Sequence, residues 1–385
     1  MSQNSSIKNF SFVTLGKIIT VGLYTSFYLI FATILEPETF GQMSYLIAIS
    51  GTASIVSRFG FPLSVLVYRA KEKHILSNQI NVLSVITTGT AALILLPIDL
   101  NSALLCFALS TFLMNTHNLL GFKKYQKFFW ASVFRSVATI TLSIAFYFAF
   151  DVPGILLGLT LSNFFGSIDF FKSLSLKIQS FREIRSHGTV LMHNFGVDAS
   201  SALNRWVDKL LIFPLYGFAF VGLYQFNMQI LVVLMILPTS LYSFVLSEKS
   251  SGKKHKRIAY ATLMITIVLV IFVIIFSPFL VEQLFPKFEE GVNALQILII
   301  SVIPLSITQI LKADLQAQES TKVGYAGIAR IGSLLGFIAI LGNVYGLEGL
   351  SIAVLVSAIV ETVFFLFIYR GSQAKTSGIL STNED

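Results

Sequence analysis

Long apolar runs dominate the sequence and constrain the fold more than any other feature. A helix needs about 20 mostly apolar residues to cross the hydrocarbon core of a bilayer. Charged side chains make up only 12% of the chain, against about a quarter in ordinary soluble domains. Together these features predict an all-α integral membrane protein. Twelve runs are long enough to span, approximately residues 12–35, 40–61, 77–97, 102–121, 129–150, 153–172, 189–213, 219–246, 258–280, 292–311, 324–345 and 347–369.

The charges between the spans predict the topology. With the N terminus in the cytoplasm, the inner segments collect nearly all lysines and arginines, including Arg58 and Arg69, whereas the outer loops carry Asp and Glu with Lys287 as their only base. Basic residues accumulate on cytoplasmic loops. Both termini are therefore predicted to be cytoplasmic, in a multi-pass protein of the inner or plasma membrane. The net charge of +8 is explained by topology, with anionic lipid headgroups as secondary partners and no nucleic acid.

The sequence also repeats itself. At an offset of 195 residues, Arg135 falls on Arg330 and Gly154 on Gly349. Each half holds six spans, an even number, so the halves run in the same direction and are related by an axis along the membrane normal. The predicted domains are an N-terminal six-helix bundle (1–186), a C-terminal six-helix bundle (187–370) and a polar cytoplasmic tail (371–385).

The seventh run carries a stripe of polar side chains. Spacings of three and four residues place them on one helix face. A continuous polar stripe is costly against lipid, so it is expected to line a water-filled cleft. Alternatively, its charges form ion pairs, Arg205 with Asp198 or with Asp208, that fix helix packing. The predicted substrate-binding residues of this stripe are Asn194, Asp198, Ser201, Arg205 and Asp208.

The first run has a second polar face, formed by Lys17, Thr20, Tyr24 and Tyr28. An ammonium group offsets phosphate charge, and tyrosine rings pack against the apolar side of a pyranose. These four residues are therefore also predicted to bind substrate. Lys17 lies near the cytoplasmic end of its helix, so snorkelling to the interface is the alternative interpretation.

Three ionisable residues are candidates for ion coupling, because charged groups inside membranes are expensive and usually functional. They are Asp198, Glu361 and His117, with helix pairing or an interfacial position as the alternatives. No nucleotide-binding motif, metal-ligand motif or nucleophile motif is present, so no metal site and no cofactor are predicted. Transport would then draw on a proton or sodium gradient, or on the substrate gradient itself.

Three short motifs resemble those of a known family. Ile34–Gly41 resembles the "LGPxxYG" turn after the first span of polysaccharide flippases. Arg205–Ile212 followed by Val221–Tyr224 resembles their "DrxxI…vGxY", and Phe276–Phe279 with Ala294–Leu298 resembles the junction of their ninth and tenth spans. From about residue 10 to 370, the chain is similar to the polysaccharide/O-antigen (Wzx-type) flippases of the multidrug/oligosaccharidyl-lipid/polysaccharide exporter superfamily.

The resemblance implies two bundles that face each other across a central cavity and work by alternating access. The implied cargo is a polyprenyl-diphosphate-linked oligosaccharide, flipped to the outer leaflet, and the implied partners include other polysaccharide-assembly membrane proteins. The chain departs from the family in its short length and in Glu36-Pro37-Glu38, where Gly-Pro is commoner. The alternative function is an ion-coupled exporter of drugs or organic cations with the same fold. A membrane enzyme is disfavoured, because every outer loop is short.

Overall fold

The computed structural model describes residues 3–174, 184, 187–249, 256–317 and 323–381. Within those ranges the chain is helical and contains no strand, which confirms the predicted all-α class. A chain in lipid has to satisfy its backbone polar groups internally, and helices do so within one segment. The helices are α1 Gln3–Ile34, α2 Pro37–Arg58, α3 Phe61–Ala70, α4 His74–Leu95, α5 Leu100–Gly121, α6 Tyr125–Gly166, α7 Ile168–Ser173, α8 Gly188–Tyr216, α9 Phe218–Leu234, α10 Ile236–Lys249, α11 Lys256–Leu284, a 3₁₀ turn Pro286–Gly291, α12 Val292–Ile300, α13 Val302–Ala317 and α14 Val323–Ser381.

Several of these helices are long and apolar enough to cross a membrane. In the described part of the chain seven pass that test, or nine if two bent helix pairs each count as one span. The pairs are α2 with α3, bent by 49°, and α9 with the first part of α10, bent by 47°. A multi-pass membrane protein is therefore confirmed, while the count of twelve spans and the orientation of the termini stay predictions.

The two longest helices, α6 and α14, each contain two helices joined at a break. The breaks lie at Asp151 (φ 52°, ψ −139°) and Gly346 (φ 57°, ψ −131°), between runs that the sequence treats as separate spans. The two residues are separated by the same offset of 195 that aligns the halves of the sequence. The backbone therefore repeats its conformation at the position that the sequence repeat predicts, although only one copy places glycine at this positive φ.

Equivalent glycines of the two repeats, Gly154 and Gly349, let the two parts of α6 and of α14 pack together after the break. A Cβ on Gly154 would collide with the carbonyl oxygen of Phe146, and one on Gly349 with the carbonyl oxygen of Leu341. A Cβ on Gly158 would likewise collide with the backbone of Ser143, whose hydroxyl donates to Ile155 O over 3.1 Å. Small residues let helix backbones approach closely in membranes. The two parts of α6 are therefore packed backbone to backbone.

The contacts divide the chain into two compact units. The first comprises residues 1–31 and 38–213, and the second comprises residues 32–37 and 214–385. In the first unit α5 packs against α3, α4, α6 and α7. In the second unit α13 packs against α10, α11 and α14. Helix α8 contributes its residues up to Phe213 to the first unit, whereas the domain boundary at residues 186 and 187 stays a prediction.

Within the first unit α8 lies antiparallel to the bent pair α2 and α3. The Tyr45 ring packs against the Phe213 ring at a tilt of 45°, with ring centroids 4.4 Å apart. A Cβ on Gly51 would lie 2.7 Å from the Trp206 ring. At the bend, Gly60 has φ 69° and touches the backbone at Phe195 so closely that no Cβ fits. This close approach positions the polar residues of α8 against the end of α2.

Glycine packing predicts different effects on stability for two Gly→Ala variants. Gly158→Ala should lower the free energy of unfolding by about 1–3 kcal/mol, because the new methyl group overlaps the Ser143 backbone. Gly336→Ala is the matched control, since no described atom lies within 4 Å of its Cβ position. There the substitution should be neutral or stabilise the helix by up to about 1 kcal/mol. Chemical unfolding in mixed micelles measures both, and equal effects would contradict the packing of α6.

Candidate functional site

A buried arginine and an aspartate form the centre of the charged groups in the first unit. Arg58, the last residue of α2, has a 5% exposed side chain, and its Nη2 lies 3.8 Å from Oδ2 of Asp198 on α8. Arg58 also donates to Ser54 Oγ over 2.8 Å. The Asp198 side chain is 23% exposed, and its Oδ2 accepts no hydrogen bond from a described residue. The pair is therefore an ion pair with a carboxylate oxygen still open to a further donor.

His117 of α5 lies close enough to Arg58, Asp198 and Lys17 to interact electrostatically with all three. Its Nδ1 is 2.9 Å from Leu113 O. A carbonyl oxygen only accepts, so Nδ1 carries the proton and Nε2 remains available. Two of the three ion-coupling candidates, His117 and Asp198, thus belong to one cluster, which we call the Arg58 cluster (Arg58, His117 and Asp198).

The predicted face of α1 is divided between surface and core. Lys17 is exposed, and the Thr20 hydroxyl is buried without a described hydrogen-bond partner. Tyr24 is half-buried, and its Oη lies 3.4 Å from Oη of Tyr28. Tyr28 itself is fully buried, with its ring edge-on to Phe27. Of the two tyrosines, only Tyr24 keeps a partly accessible ring.

Tyr24 and Tyr28 also lie in the field of nearby arginines. Both interact electrostatically with Arg205 of α8, and Tyr24 interacts with Arg135 of α6 as well. Arg205 is exposed and forms no ion pair with any residue that the structure describes. The structure therefore brings Tyr24, Tyr28 and Arg205 of the predicted site into one region of the first unit.

The other members of the α8 stripe have partners of their own. Asn194 donates to Ser64 Oγ on α3 over 2.8 Å. Asp208 is buried and accepts from Nζ of the adjacent Lys209 over 2.9 Å, while the same ammonium group donates to Arg205 O. The side chain of Ser201 lies outside the described residues. The sequence allowed an ion pair of Arg205 with Asp198 or with Asp208, and neither forms. Asp198 pairs with Arg58, and Asp208 pairs with Lys209.

The third ion-coupling candidate lies in the second unit. Glu361 accepts from Nη1 of Arg330 over 3.0 Å, and Lys312 interacts electrostatically with both. The carboxylate is buried, so it belongs to an ion pair within α14. Among the described residues, no group of three or more His, Cys, Asp or Glu side chains could hold a metal ion.

The first unit lacks the counterpart of this ion pair. Arg135 corresponds to Arg330 in the sequence repeat, and Gly166 corresponds to Glu361. Gly166 does lie against Arg135, since a Cβ built on it would be 3.1 Å from Arg135 Cβ. Without a carboxylate there, the guanidinium lies 4.7 Å from the Phe112 ring centroid and donates to Ser136 Oγ over 3.2 Å. Its Nε has no described acceptor.

The buried charges therefore differ in sign between the two units. In the described part of the first unit, four basic side chains are buried against one acidic side chain, Asp208. In the described part of the second unit both buried charged residues, Asp314 and Glu361, are acidic. The buried bases of the first unit are Arg58, Arg69, Arg135 and Lys209.

Arg58 and Arg69 are the residues that the sequence reasoning missed, because it counted both among the loop bases. Arg69 lies in α3, where its Nε donates to Asn118 over 3.1 Å, its Nη2 donates to Asn78, and its guanidinium stacks on Phe122. The apolar run Phe61–Val67 that follows Arg58 was the available signal. It indicates that an apolar helix resumes after Gly60, as α3 does in the structure.

The comparisons with known proteins establish the fold. No protein-family model matches the chain. An uncharacterized membrane protein of Methanocaldococcus jannaschii is 25% identical over 409 residues, covering 95% of this chain and 97% of the relative. An inward-facing multidrug resistance MATE family transporter of the MOP superfamily has a TM-score of 0.70 at 15% identity, covering 94% of this chain and 96% of that chain. The lipid II flippase MurJ, in an inward closed conformation, has a TM-score of 0.62 at 14% identity, covering 94% of this chain and 81% of MurJ.

These likenesses confirm part of what the sequence predicted. The chain is a multi-pass membrane protein whose fold resembles that of a MATE family transporter and that of the lipid II flippase MurJ. The solved structures that it resembles are transporters and flippases, not enzymes. At identities of 14–15% the likeness concerns the fold alone.

The ion pair of the Arg58 cluster predicts a measurable coupling. Asp198→Asn should lower the free energy of unfolding by about 1–3 kcal/mol, because it leaves the buried Arg58 guanidinium without its carboxylate. In the double variant Asp198→Asn/Arg58→Gln the two losses should not add, and the cycle should show at least about 0.5 kcal/mol of coupling. Arg205→Gln, on the same helix but exposed, should change stability by less than about 0.5 kcal/mol. Additive losses in the cycle would refute the pairing.

Proposed function

We propose that this protein flips a polyprenyl-diphosphate-linked oligosaccharide from the cytoplasmic to the outer leaflet of the cell membrane during surface polysaccharide biosynthesis. The observation that carries the proposal is that two buried bases of the first unit, Arg69 and Arg135, form no ion pair with any residue that the structure describes. Burial of an unpaired charge is costly, and the cost falls when an opposite charge binds. An interior rich in arginine is therefore suited to an anionic cargo, and a diphosphate carries such charge.

The arrangement of individual groups supports the same cargo. Arg135 keeps an Nε–H without a described acceptor, and Arg205 and Lys17 are exposed. Guanidinium groups bind phosphate oxygens through two parallel hydrogen bonds. The half-buried ring of Tyr24, in the electrostatic reach of Arg205 and Arg135, supplies an apolar face and a hydroxyl for the attached sugar. The proposal therefore includes binding of the diphosphate by the basic groups and of the sugar by Tyr24.

We propose in addition what drives transport. No cofactor is invoked, and a proton or sodium gradient would act through the Arg58 cluster or through Glu361. His117 keeps its Nε2 available while Nδ1 is held by Leu113 O, so it can take up and release a proton. The proposed location is the inner or plasma membrane, among other polysaccharide-assembly membrane proteins and with no nucleic-acid partner.

One observation favours a second function, the export of drugs or other organic cations. The carboxylate of Asp198 is partly exposed and is held by its partner at 3.8 Å only, so an organic cation could compete for it. The multidrug MATE transporters also share the fold. Against this function, any cation at Asp198 would lie beside the Arg58 guanidinium, and like charges repel each other.

Reconstitution in liposomes tests the proposal. The parent protein should move a fluorescent polyprenyl-diphosphate oligosaccharide across the bilayer, and Lys17→Ala and Arg205→Ala should each slow the movement about tenfold or more. That factor corresponds to about 1.4 kcal/mol, the order of one charge-assisted hydrogen bond. Lys71→Ala, which removes an exposed base of the α3–α4 turn, is the matched control and should leave the rate unchanged.

The other outcomes separate function from site. Movement that survives Lys17→Ala and Arg205→Ala, in variants that insert and fold, would keep the flippase and discard these two residues. A different pair of results would refute the flippase and favour the exporter. The protein would then not move the glycan lipid, and it would drive a gradient-dependent efflux of organic cations that Asp198→Asn abolishes.

A further inference from the structure

Two adjoining cavities open on the surface of the first unit. One has a volume of about 180 Å³ and is bounded by the end of α5, the start of α6 and α7. The other has a volume of about 380 Å³ and runs along the first part of α6 against its last residues and α7. The two cavities share Lys127 and Asp169, so they adjoin each other, and we call them together the groove.

The smaller cavity is basic. Its wall contains three lysines, Lys124, Lys127 and Lys172, and one carboxylate, Asp169. Lys127 pairs with Asp169 at 3.7 Å, with both side chains well exposed. Lys124 and Lys172 form no ion pair with any residue in the described part of the chain, and the Lys124 ammonium lies over the Phe122 ring at 5.0 Å. Two positive charges at this end of the groove are thus left without a counter-charge.

The larger cavity is apolar. Trp130 and Phe134 line it, with 59% and 62% of their surfaces exposed. Phe165 and Ile168 form the facing wall and are also exposed. Exposed aromatic side chains in a row mark a surface that contacts hydrocarbon or a partner. Tryptophan is enriched where a membrane protein meets the lipid headgroups.

We propose that this groove binds an anionic phospholipid of the surrounding bilayer. Lys124 and Lys172 would hold the headgroup phosphate, and an acyl chain would lie along Trp130, Phe134 and Phe165. Basic pockets between spans bind anionic headgroups on the side of the membrane where basic loops collect. The ends of α5 and α6 that form this groove belong to the side predicted to be cytoplasmic. The groove shares no residue with the Arg58 cluster or with Lys17, Tyr24 and Arg205, so it is a separate site.

The adjacency of the basic and the apolar cavity favours a lipid over a soluble anion. Inorganic phosphate would use only the basic cavity and would leave the aromatic wall uncovered. A zwitterionic lipid would use the aromatic wall, but its own ammonium group would offset the two lysines. Only a lipid with net negative charge satisfies both halves of the groove.

Brominated lipids test the site through Trp130. The chain has two tryptophans, so the difference between the parent and Trp130→Phe isolates the Trp130 fluorescence. In phosphatidylcholine vesicles doped with brominated phosphatidylglycerol or brominated phosphatidylcholine, quenching of Trp130 should show about a 30-fold higher relative affinity for phosphatidylglycerol. That ratio corresponds to about 1 kcal/mol for each of two lysines.

Matched variants distinguish a specific lipid-binding site from a general effect of surface charge. Lys124→Gln/Lys172→Gln should reduce the preference to within about threefold of unity, while Lys71→Gln/Lys73→Gln removes two exposed lysines elsewhere in the same unit and should leave it intact. Equal quenching by the two brominated lipids would overturn the proposal, and so would equal losses in the two double variants. A Trp130 signal that responds to inorganic phosphate in vesicles without anionic lipid would assign the groove to a soluble anion and overturn the lipid.

Discussion

Charge buried inside a membrane protein needs a partner within the protein, because neither lipid nor water is there to solvate it. In this chain that requirement organises the packing of the first unit. Arg58 at the end of α2 forms an ion pair with Asp198 of α8. The positive φ of Gly60 lets the backbones of α3 and α8 approach each other closely. As a result, Asn194 of α8 can donate a hydrogen bond to Ser64 of α3. The bend between α2 and α3 is therefore what brings the α8 stripe against an arginine.

The sequence repeat explains much of the remaining architecture. Asp151 and Gly346 adopt the same left-handed conformation at equivalent positions, and Gly154 and Gly349 make equivalent close contacts just after them. A residue other than glycine at such a φ is strained, at a cost of order 1–3 kcal/mol. Asp151 keeps this conformation because the backbone at Gly154, three residues later, packs directly against the backbone at Phe146.

The helical class, the breaks in the long helices and the membrane setting could all be predicted from apolar run length and glycine spacing. Side-chain partners could not. Periodicity places Asn194, Asp198 and Asp208 on one face, but it cannot say that Asp208 is neutralised by its own neighbour Lys209. Likewise, α1 periodicity groups Tyr28 with Lys17, whereas ring packing buries Tyr28 completely. Gly332 and Gly336 have the spacing of a packing motif, yet no described atom approaches either Cβ position.

The difference between the two copies of the repeat bears most directly on function. Where the second unit neutralises Arg330 with Glu361, the first unit has Gly166 and stacks Arg135 on Phe112. A cation–π contact compensates the charge of a guanidinium less than a carboxylate does. Two copies of one scaffold thus differ in whether the equivalent arginine has a carboxylate partner. The copy that lacks this partner is the one whose interior an anion can stabilise, so selectivity for an anionic cargo would be a property of the first unit by itself.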